Sequence, residues 1–352
     1  MGQCIGIIYE RQSMKKLKIG VVGATGMVGQ VFMNLLEERN FPLSELRPFA
    51  SQGSLGKKIK CQNQEWTSEV LKPKCFDGLD IVFFSSGDDI SEEWAPEAVK
   101  SGAYAIDNSA AFRMSQEHAL VVPEVNGDLV EKMNRPQVIA NPNCSTIQLV
   151  VALKPLQEKF GIVDVRVSSY QAASGAGLPA YNELLAQAAD YKNPNPQPVN
   201  FVHPLLFNVI PQIGSFDEEG FTSEEKKIQN ETKKILRQPN LKVSAFAVRV
   251  PVLNGHSESV WVTLNKDVRR EEVVSALSSM NGLVVQDEPK ESVYPMPRDV
   301  SGKDPVYVGR IHRDPENEKM WLMWVVSDNI KKGAALNGIQ IADLLIKNAL
   351  KG

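Results

Sequence analysis

Along the chain, short apolar runs alternate with stretches whose apolar positions recur every three or four residues. Lys18 to Val22, "KIGVV", is the first such run, and it ends in "GATGMVG". The following "QVFMNLLEERN" sets Val31, Leu35 and Leu36 on one helical face and Glu37 and Glu38 on the other. Further strand candidates are Leu46 to Ala50, Ile81 to Ser85, Tyr104 to Ile106 and Val138 to Ala140, with helical segments between several of them, including Glu92 to Ser101. Strands alternating with helices predict an α/β fold with a parallel, doubly wound sheet. "DIVFFSSG" reads as a buried strand whose small polar end borders a ligand crevice. Beyond residue 144, Leu149, Leu153, Leu156 and Phe160 repeat at helical spacing, and Pro155 is expected to kink or shorten that helix.

The first strand, glycine turn and helix give "GATGMVG" its meaning. Gly23, Gly26 and Gly29 let the backbone turn sharply, approach a pyrophosphate and pack helix on strand. The N–H groups along Ala24, Thr25, Met27 and Val28 then face the phosphates. The spacing is GxxGxxG, which also suits a tight turn that binds nothing; the flanks favour the nucleotide. In "LRPFASQGSLGKK", at the second strand, no Asp or Glu waits for ribose hydroxyls. Ser51, Ser54, Lys57 and Lys58 stand there instead, and hydroxyls and cations suit the 2′-phosphate of NADP. The lysines fit a solvated loop as well.

A chain of 352 residues suggests two domains with ample core. Its net charge of −3 does not favour nucleic acid or a membrane surface as a partner. No apolar run approaches the ~20 residues that span a bilayer. The first residues lack the pattern of a signal peptide, and Gly2 alone is a poor acylation signal because Gly6 replaces the Ser or Thr. Residues 1–13 therefore read as an extension ahead of a domain starting at Met14. Cys4, Cys61, Cys75 and Cys144 show no CxxC spacing, and no histidine pairs with a cysteine at metal-ligand distance. Neither a disulfide framework nor a metal is expected, and the cytoplasm, a reducing compartment, is the natural home.

Cys144 follows the turn "NPN" and precedes a helical stretch that Ser145 or Thr146 could cap. At a helix N-terminus the N–H groups and the dipole stabilise a thiolate, and the same groups stabilise an oxyanion. A buried, inert thiol is the commoner state of free cysteine; the polar turn argues against it here. Cys61 and Cys75 lack that setting and read as structural. Acyl chemistry on a thiolate needs a proton carrier. Among the histidines, His256 in "VRVPVLNGHSESVWVTL" is the best placed, at a glycine turn between strand-like runs, though a surface turn would read the same way.

Seven strings occur in order from residue 23 to 342: "GATGMVG", "DNSAAFR", "VVPEVN", "NPNCSTIQ", "YQAASGAG", "RVPVLNGHSESV" and "WVVSDNIKKGAALNGIQIA". Together they closely resemble the bacterial aspartate-semialdehyde dehydrogenase family over nearly the whole chain from Met14. The resemblance implies NADP-dependent reductive dephosphorylation of L-aspartyl-4-phosphate to the semialdehyde, toward lysine, threonine, methionine and diaminopimelate. It implies a thioester on Cys144, a proton shuttle at His256 and an orienting role for Gln171. Arg113 and Asn143, with Lys227, are implied to meet the phosphate, Glu224 the substrate amino group and Arg249 the α-carboxylate. Glu224 and Lys227, three residues apart, share a helical face; without the family pattern a solvated face would be the default. Ser174, Gly175 and Asn337 resemble positions near the nicotinamide.

One departure stands in the adenosine loop, where many relatives carry an arginine and this chain has Gly53. NADP remains the expected cofactor, with mixed use of NAD within reach. The family pattern further implies a Rossmann-like NADP-binding domain at 14–143 plus 333–352 and an α+β catalytic and dimerisation domain at 144–332. It implies a homodimer, or a tetramer built from it. The proline-rich "DYKNPNPQPVNFVHP" reads as a long loop within the second domain. N-acetyl-glutamyl-phosphate reductase shares the thioester logic, but the glutamate-lysine pair and "NPNCST" argue against it. A non-catalytic nucleotide-binding homologue would not need Cys144, Gln171, Arg249 and His256 together.

Overall fold

The apolar run Leu17–Val22 is strand β1 of a six-stranded sheet in the computed structural model, which describes residues 15–350. The N-terminal extension, with Gly2 and Cys4, lies outside the described residues. After β1 come α1 (Met27–Glu38), β2 (Leu43–Phe49), β3 (Lys58–Cys61), β4 (Gln64–Thr67), β5 (Ile81–Phe84) and α2 (Asp88–Lys100). Then follow β6 (Tyr104–Asp107), β7 (Ala119–Leu120), α3 (Pro123–Asn126), α4 (Asp128–Glu131) and β8 (Val138–Ala140). The order β2-β1-β5-β6-β8-β7, parallel throughout, is a doubly wound, Rossmann-like sheet, with β3 and β4 as a separate hairpin.

Period-two alternation explains how both faces are covered. Ile81 and Phe83 join Phe32, Leu35 and Leu36 of α1 in one apolar cluster, whereas Val82 and Phe84 join Ala95 and Ala98 of α2 in another. Phe32 and Phe83 rings lie 4.7 Å apart; burying each such side chain contributes about 1.5–3 kcal/mol. Strand order reverses between β1 and β5, the switch point where such sheets bind ligands.

A second unit spans Cys144–Gly333, while residues 15–143 and 334–350 group together. It begins with α5 (Cys144–Phe160) and β9 (Ile162–Gln171), then α6 (Gly177–Ala189), a long loop and α7 (Ser223–Ile235). β10 (Lys242–Arg249), β11 (His256–Leu264), α8 (Arg270–Ser278), β12 (Leu283–Val285), α9 (Pro297–Val300), β13 (Val306–Arg313) and β14 (Met320–Ser327) complete it. The mixed sheet runs β10-β9-β11-β14-β13-β12, with only the two outer pairs parallel. α10 (Asn337–Asn348) belongs to the first unit, where it packs on α1, α3, α4 and β6.

Two local expectations change. Pro155 does not shorten α5, which continues to Phe160 with residues 149–153 and Leu156 fully buried. Packing on all sides, against β9, β11, β14, α7 and α8, outweighs the one backbone hydrogen bond that proline forfeits. Ser145 and Thr146 lie inside the first turn rather than ahead of it, because the helix reaches back to Cys144 itself.

Candidate active site

Four buried polar side chains stand in a line across one face of the second sheet. Arg249 of β10 pairs with Gln171 of β9; β11 pairs Ser257 with Tyr170, so His256 falls level with Gln171; His256 in turn pairs with Ser327 of β14. One pair further along, the line Ala247, Ser169, Glu258 and Val325 lies beneath it. Ser327 Oγ donates to Gln148 Oε1 at 2.7 Å, which places α5, and its first residue Cys144, over this face. His256 begins β11 and is wholly buried, not a surface turn histidine. Cys144 is half-buried.

Ala172, just past β9, fixes two of these side chains. Its carbonyl accepts from Arg249 Nη1 at 2.6 Å, and its N–H donates to His256 Nδ1 at 3.0 Å. The neutral imidazole therefore carries its proton on Nε2, which is buried and meets no partner. Burial, and then the Arg249 cation, hold the imidazole well below its usual pKa. Burial likewise lowers Arg249, while the charges of Glu224 and Cys144 pull it back up. Gly175 leaves this pair room: a Cβ there would lie 2.9 Å from Arg249 Nη1 and from His256 Nε2.

Glu224 comes from α7, whose start is set by a capping box. Thr222 Oγ1 accepts from the Glu225 N–H, and Glu225 Oε2 accepts from the Thr222 N–H at 2.7 Å. Glu225 also accepts from Ala247 N at 2.9 Å, tying the helix to β10. So anchored, buried Glu224 accepts from Gln171 Nε2 at 3.0 Å and lies 3.8 Å from Lys227 Nζ. Ser174 donates to Asn254 Oδ1 at 2.9 Å and meets Asn329, whose Oδ1 accepts from Gly255 N at 2.9 Å. This bracing of the turn before His256 was invisible to residue-type reasoning. So were the roles of Ala172, Glu258 and Gly333.

The first unit holds the other candidates. Gly23 has φ +80°, and a Cβ on it would stand 2.3 Å from the Ser85 carbonyl oxygen after β5. A Cβ on Gly29 would stand 2.3 Å from the Gly23 oxygen. Gln30 N–H to Gly26 is the first bond of the α1 ladder, so the N–H groups of Met27, Val28 and Gly29 precede it. Such a cradle fits a dinucleotide pyrophosphate. Ser51 precedes and Ser54 ends a short 3₁₀ turn containing Gly53; Lys57 is exposed, and Lys58 Nζ donates to Thr67 Oγ1 at 2.7 Å. Arg113 is buried, its Nε donating to the Asn141 carbonyl at 3.0 Å and Nη2 to that of Asn108 at 2.8 Å. Asn143 is buried, and Asn337 spends its amide on the Val121 carbonyl and Asn141 Oδ1.

Cys61 and Cys75 are buried; burial pushes the Cys61 thiol up to about 11 and raises Cys75. Among the described residues no cluster of His, Cys, Asp and Glu is suited to a metal ion, and no helix is long and apolar enough to cross a membrane.

Residues 18–133 match the semialdehyde dehydrogenase NAD-binding domain, and residues 153–332 the semialdehyde dehydrogenase dimerisation domain. An aspartate-semialdehyde dehydrogenase of Aquifex aeolicus is 47% identical over 95% of the chain and 99% of its own length. One of Bacillus subtilis is 45% identical over 94% and 98%. The crystal structure of aspartate semialdehyde dehydrogenase II from Vibrio cholerae, complexed with ASA, superposes with a TM-score of 0.91 at 38% identity, covering 95% of this chain and 99% of that one. The Candida albicans enzyme with NADP gives 0.75 at 28% identity, covering 95% and 99%.

Proposed function

The chain belongs to the aspartate-semialdehyde dehydrogenase family, and from that premise we propose that it reduces L-aspartyl-4-phosphate to L-aspartate 4-semialdehyde through a thioester on Cys144. The observation that carries this reading is the line Arg249, Gln171 and His256 beneath the helix that opens with Cys144. Cys144 Sγ bonds to the acyl carbon, the carbon–oxygen bond to phosphate breaks, and inorganic phosphate leaves. Arg113, Asn143 and Lys227 hold the phosphate, Glu224 the ammonium group, and Arg249 the α-carboxylate as a bidentate partner. Gln171, fixed by Glu224, orients the acyl group. Residues 23–29 with Ser51, Ser54, Ser174, Gly175 and Asn337 would hold the cofactor, which as NADPH would supply the hydride that reduces the thioester. The Nε2–H of His256 donates a hydrogen bond to the resulting oxyanion. The carbonyl then re-forms, the carbon–sulfur bond breaks and Cys144 leaves as thiolate.

NADP is favoured over NAD by Ser51, Ser54 and exposed Lys57, with no acidic residue in the loop. The reading assigns 14–143 plus 333–352 to cofactor binding and 144–332 to catalysis and dimerisation, in a cytoplasmic homodimer serving lysine, threonine, methionine and diaminopimelate synthesis. The sheet face opposite α5 supports the dimer: it bears half-buried Tyr170, Trp261 and Trp324 and exposed Phe246, apolar surface suited to a second copy. The test is phosphate-dependent oxidation of aspartate semialdehyde by the purified chain with NADP. Turnover that disappears in Cys144→Ala supports the reading. Intact turnover in that variant, or activity only on the N-acetyl-glutamyl substrate, overturns it.

A further inference from the structure

We infer that Asp328 is a positioning residue for the reaction: its one buried carboxylate holds the turn carrying His256 and the segment abutting Cys144 in a common register. The inference rests on the reading of Cys144 as nucleophile, with His256 beside the acyl group, and deepens it. β11 and β14 pair antiparallel as far as His256 and Ser327, and there their ladder ends. His256 is thus the terminal residue of its strand, where backbone pairing alone leaves a chain prone to fray. Asp328, 3% exposed, continues the tie past that last pair through its side chain. Its Oδ2 accepts from Asn254 Nδ2 at 2.8 Å and from the Gly302 N–H at 2.7 Å. Its Oδ1 accepts from the N–H groups of Ile330 at 2.9 Å and Lys331 at 2.7 Å.

Each side of the carboxylate leads to a reacting group. On the Oδ2 side, Asn254 lies two residues before His256 and also donates to Ser301 Oγ at 2.7 Å. Between them Gly255 has φ +92°, and a Cβ on it would lie 3.0 Å from Pro297 Cα. A turn packed that closely passes a shift of Asn254 on to His256. On the Oδ1 side the chain folds back over Asp328, whose carbonyl accepts from the Gly333 N–H at 3.0 Å. Gly333 in turn stands against Cys144. Lys331 Nζ, paired with Asp304 at 2.9 Å, donates to the Gly302 carbonyl at 3.0 Å and pins the same loop. Four N–H donors thus converge on one carboxylate, which has four lone-pair sites to offer them. An amide of the same shape has a single acceptor oxygen and would turn its NH₂ against two of the donors. The site therefore calls for aspartate over asparagine, and its bonds are of the stronger, charge-assisted kind.

The experiment compares Asp328→Asn with the parent in phosphate-dependent oxidation of aspartate semialdehyde with NADP. The variant keeps an oxygen for Ile330 and Lys331 and sets an amide against Asn254 and Gly302. Its kcat is expected to fall at least ~10-fold while both KM values stay within about twofold, because reacting groups are misplaced and not removed. Alkylation of Cys144 by iodoacetamide should stay within about twofold of the parent rate, since the side that leads to Gly333 is kept. Adding Asn254→Asp to Asp328→Asn sets donor and acceptor facing again with reversed polarity, and should recover at least about threefold of the lost kcat. Asn254→Asp alone opposes two carboxylates and should lower kcat. An unchanged kcat in Asp328→Asn, a loss carried wholly by KM, an equal loss in alkylation rate, or no recovery in the double variant overturns the inference. Should Asp328→Asn fail to fold, Asn254→Ala removes the same link from its half-buried end. The same fall in kcat is then expected, and a kcat within about twofold of the parent overturns the inference. Intact turnover in Cys144→Ala would instead sink the function reading, independently of these results.

Discussion

Gly333 stands so close to Cys144 that a Cβ on the glycine would lie 2.8 Å from the cysteine's own Cβ. It occupies a π-helical turn, Lys331–Leu336, a widened turn that often marks functional sites. Neither partner can yield easily, since Cys144 starts a buried helix. Gly333→Ala should therefore displace the thiol by a few tenths of an ångström and lower kcat about tenfold or more, with cofactor KM nearly unchanged. Steady-state kinetics on the folded variant checks this; an unchanged kcat would show that the contact relaxes without reaching Sγ.

Glu258 should make stability depend on pH. Both its carboxyl oxygens are buried without a hydrogen-bond partner. Burial raises its pKa well above the ordinary 4.5 against the opposing pull of the Gln148 side chain, and the Glu224 charge adds a smaller push upward. The folded state thus keeps a proton that the unfolded state loses above pH 4.5, so this group's contribution to stability falls as pH rises, by up to about 1.4 kcal/mol per pH unit until the folded carboxyl ionises. Glu258→Gln removes the effect. Urea titrations at pH 5 and 8 should show the variant gaining on the parent at the higher pH, on the order of 2 kcal/mol. An equal gap at both values refutes the protonated state.

Gly53 has open space where a side chain would begin, with no atom within 4 Å of a built Cβ. Gly53→Arg should fold normally and add a charge-assisted bond to a 2′-phosphate. The NADPH to NADH ratio of kcat/KM should then rise about tenfold, the equivalent of about 1.4 kcal/mol. The parent ratio should already exceed one in parallel assays.

Thr222 caps the helix that delivers Glu224. Thr222→Ala should cost about 1 kcal/mol, seen as a lower Tm. The apparent KM for the semialdehyde should rise as well, because Glu224 and Lys227 lie in the first two turns; a lower Tm with unchanged KM would confine the cap to stability.

Much of the frame was legible because its signals are local. β1, β5, β6 and β8 are apolar runs in a two-sided parallel sheet, and the glycines of the first turn reveal themselves by spacing. That a helix begins beside Cys144 was legible for the same reason, although Ser145 and Thr146 lie inside its first turn and not ahead of it. Pro155 misled because propensity is local while α5 is held by packing on every side. Glu258, Ala172 and Gly333 could not be read beforehand, since their significance lies in strand register and in contacts made by residues far apart in the chain. Arg249, Glu224 and Lys227 had no signal of their own and were reached through the family pattern alone.

Ala172 holds His256 with its N–H and Arg249 with its carbonyl. Because one residue registers both, their positional errors are correlated. A breathing motion of the strand carries acid and cation together, so their separation varies less than the distance of either from a group on another element. Selection can then tune the approach of the thiol by reshaping α5 or the turn at Gly333, without realigning the pair it works against.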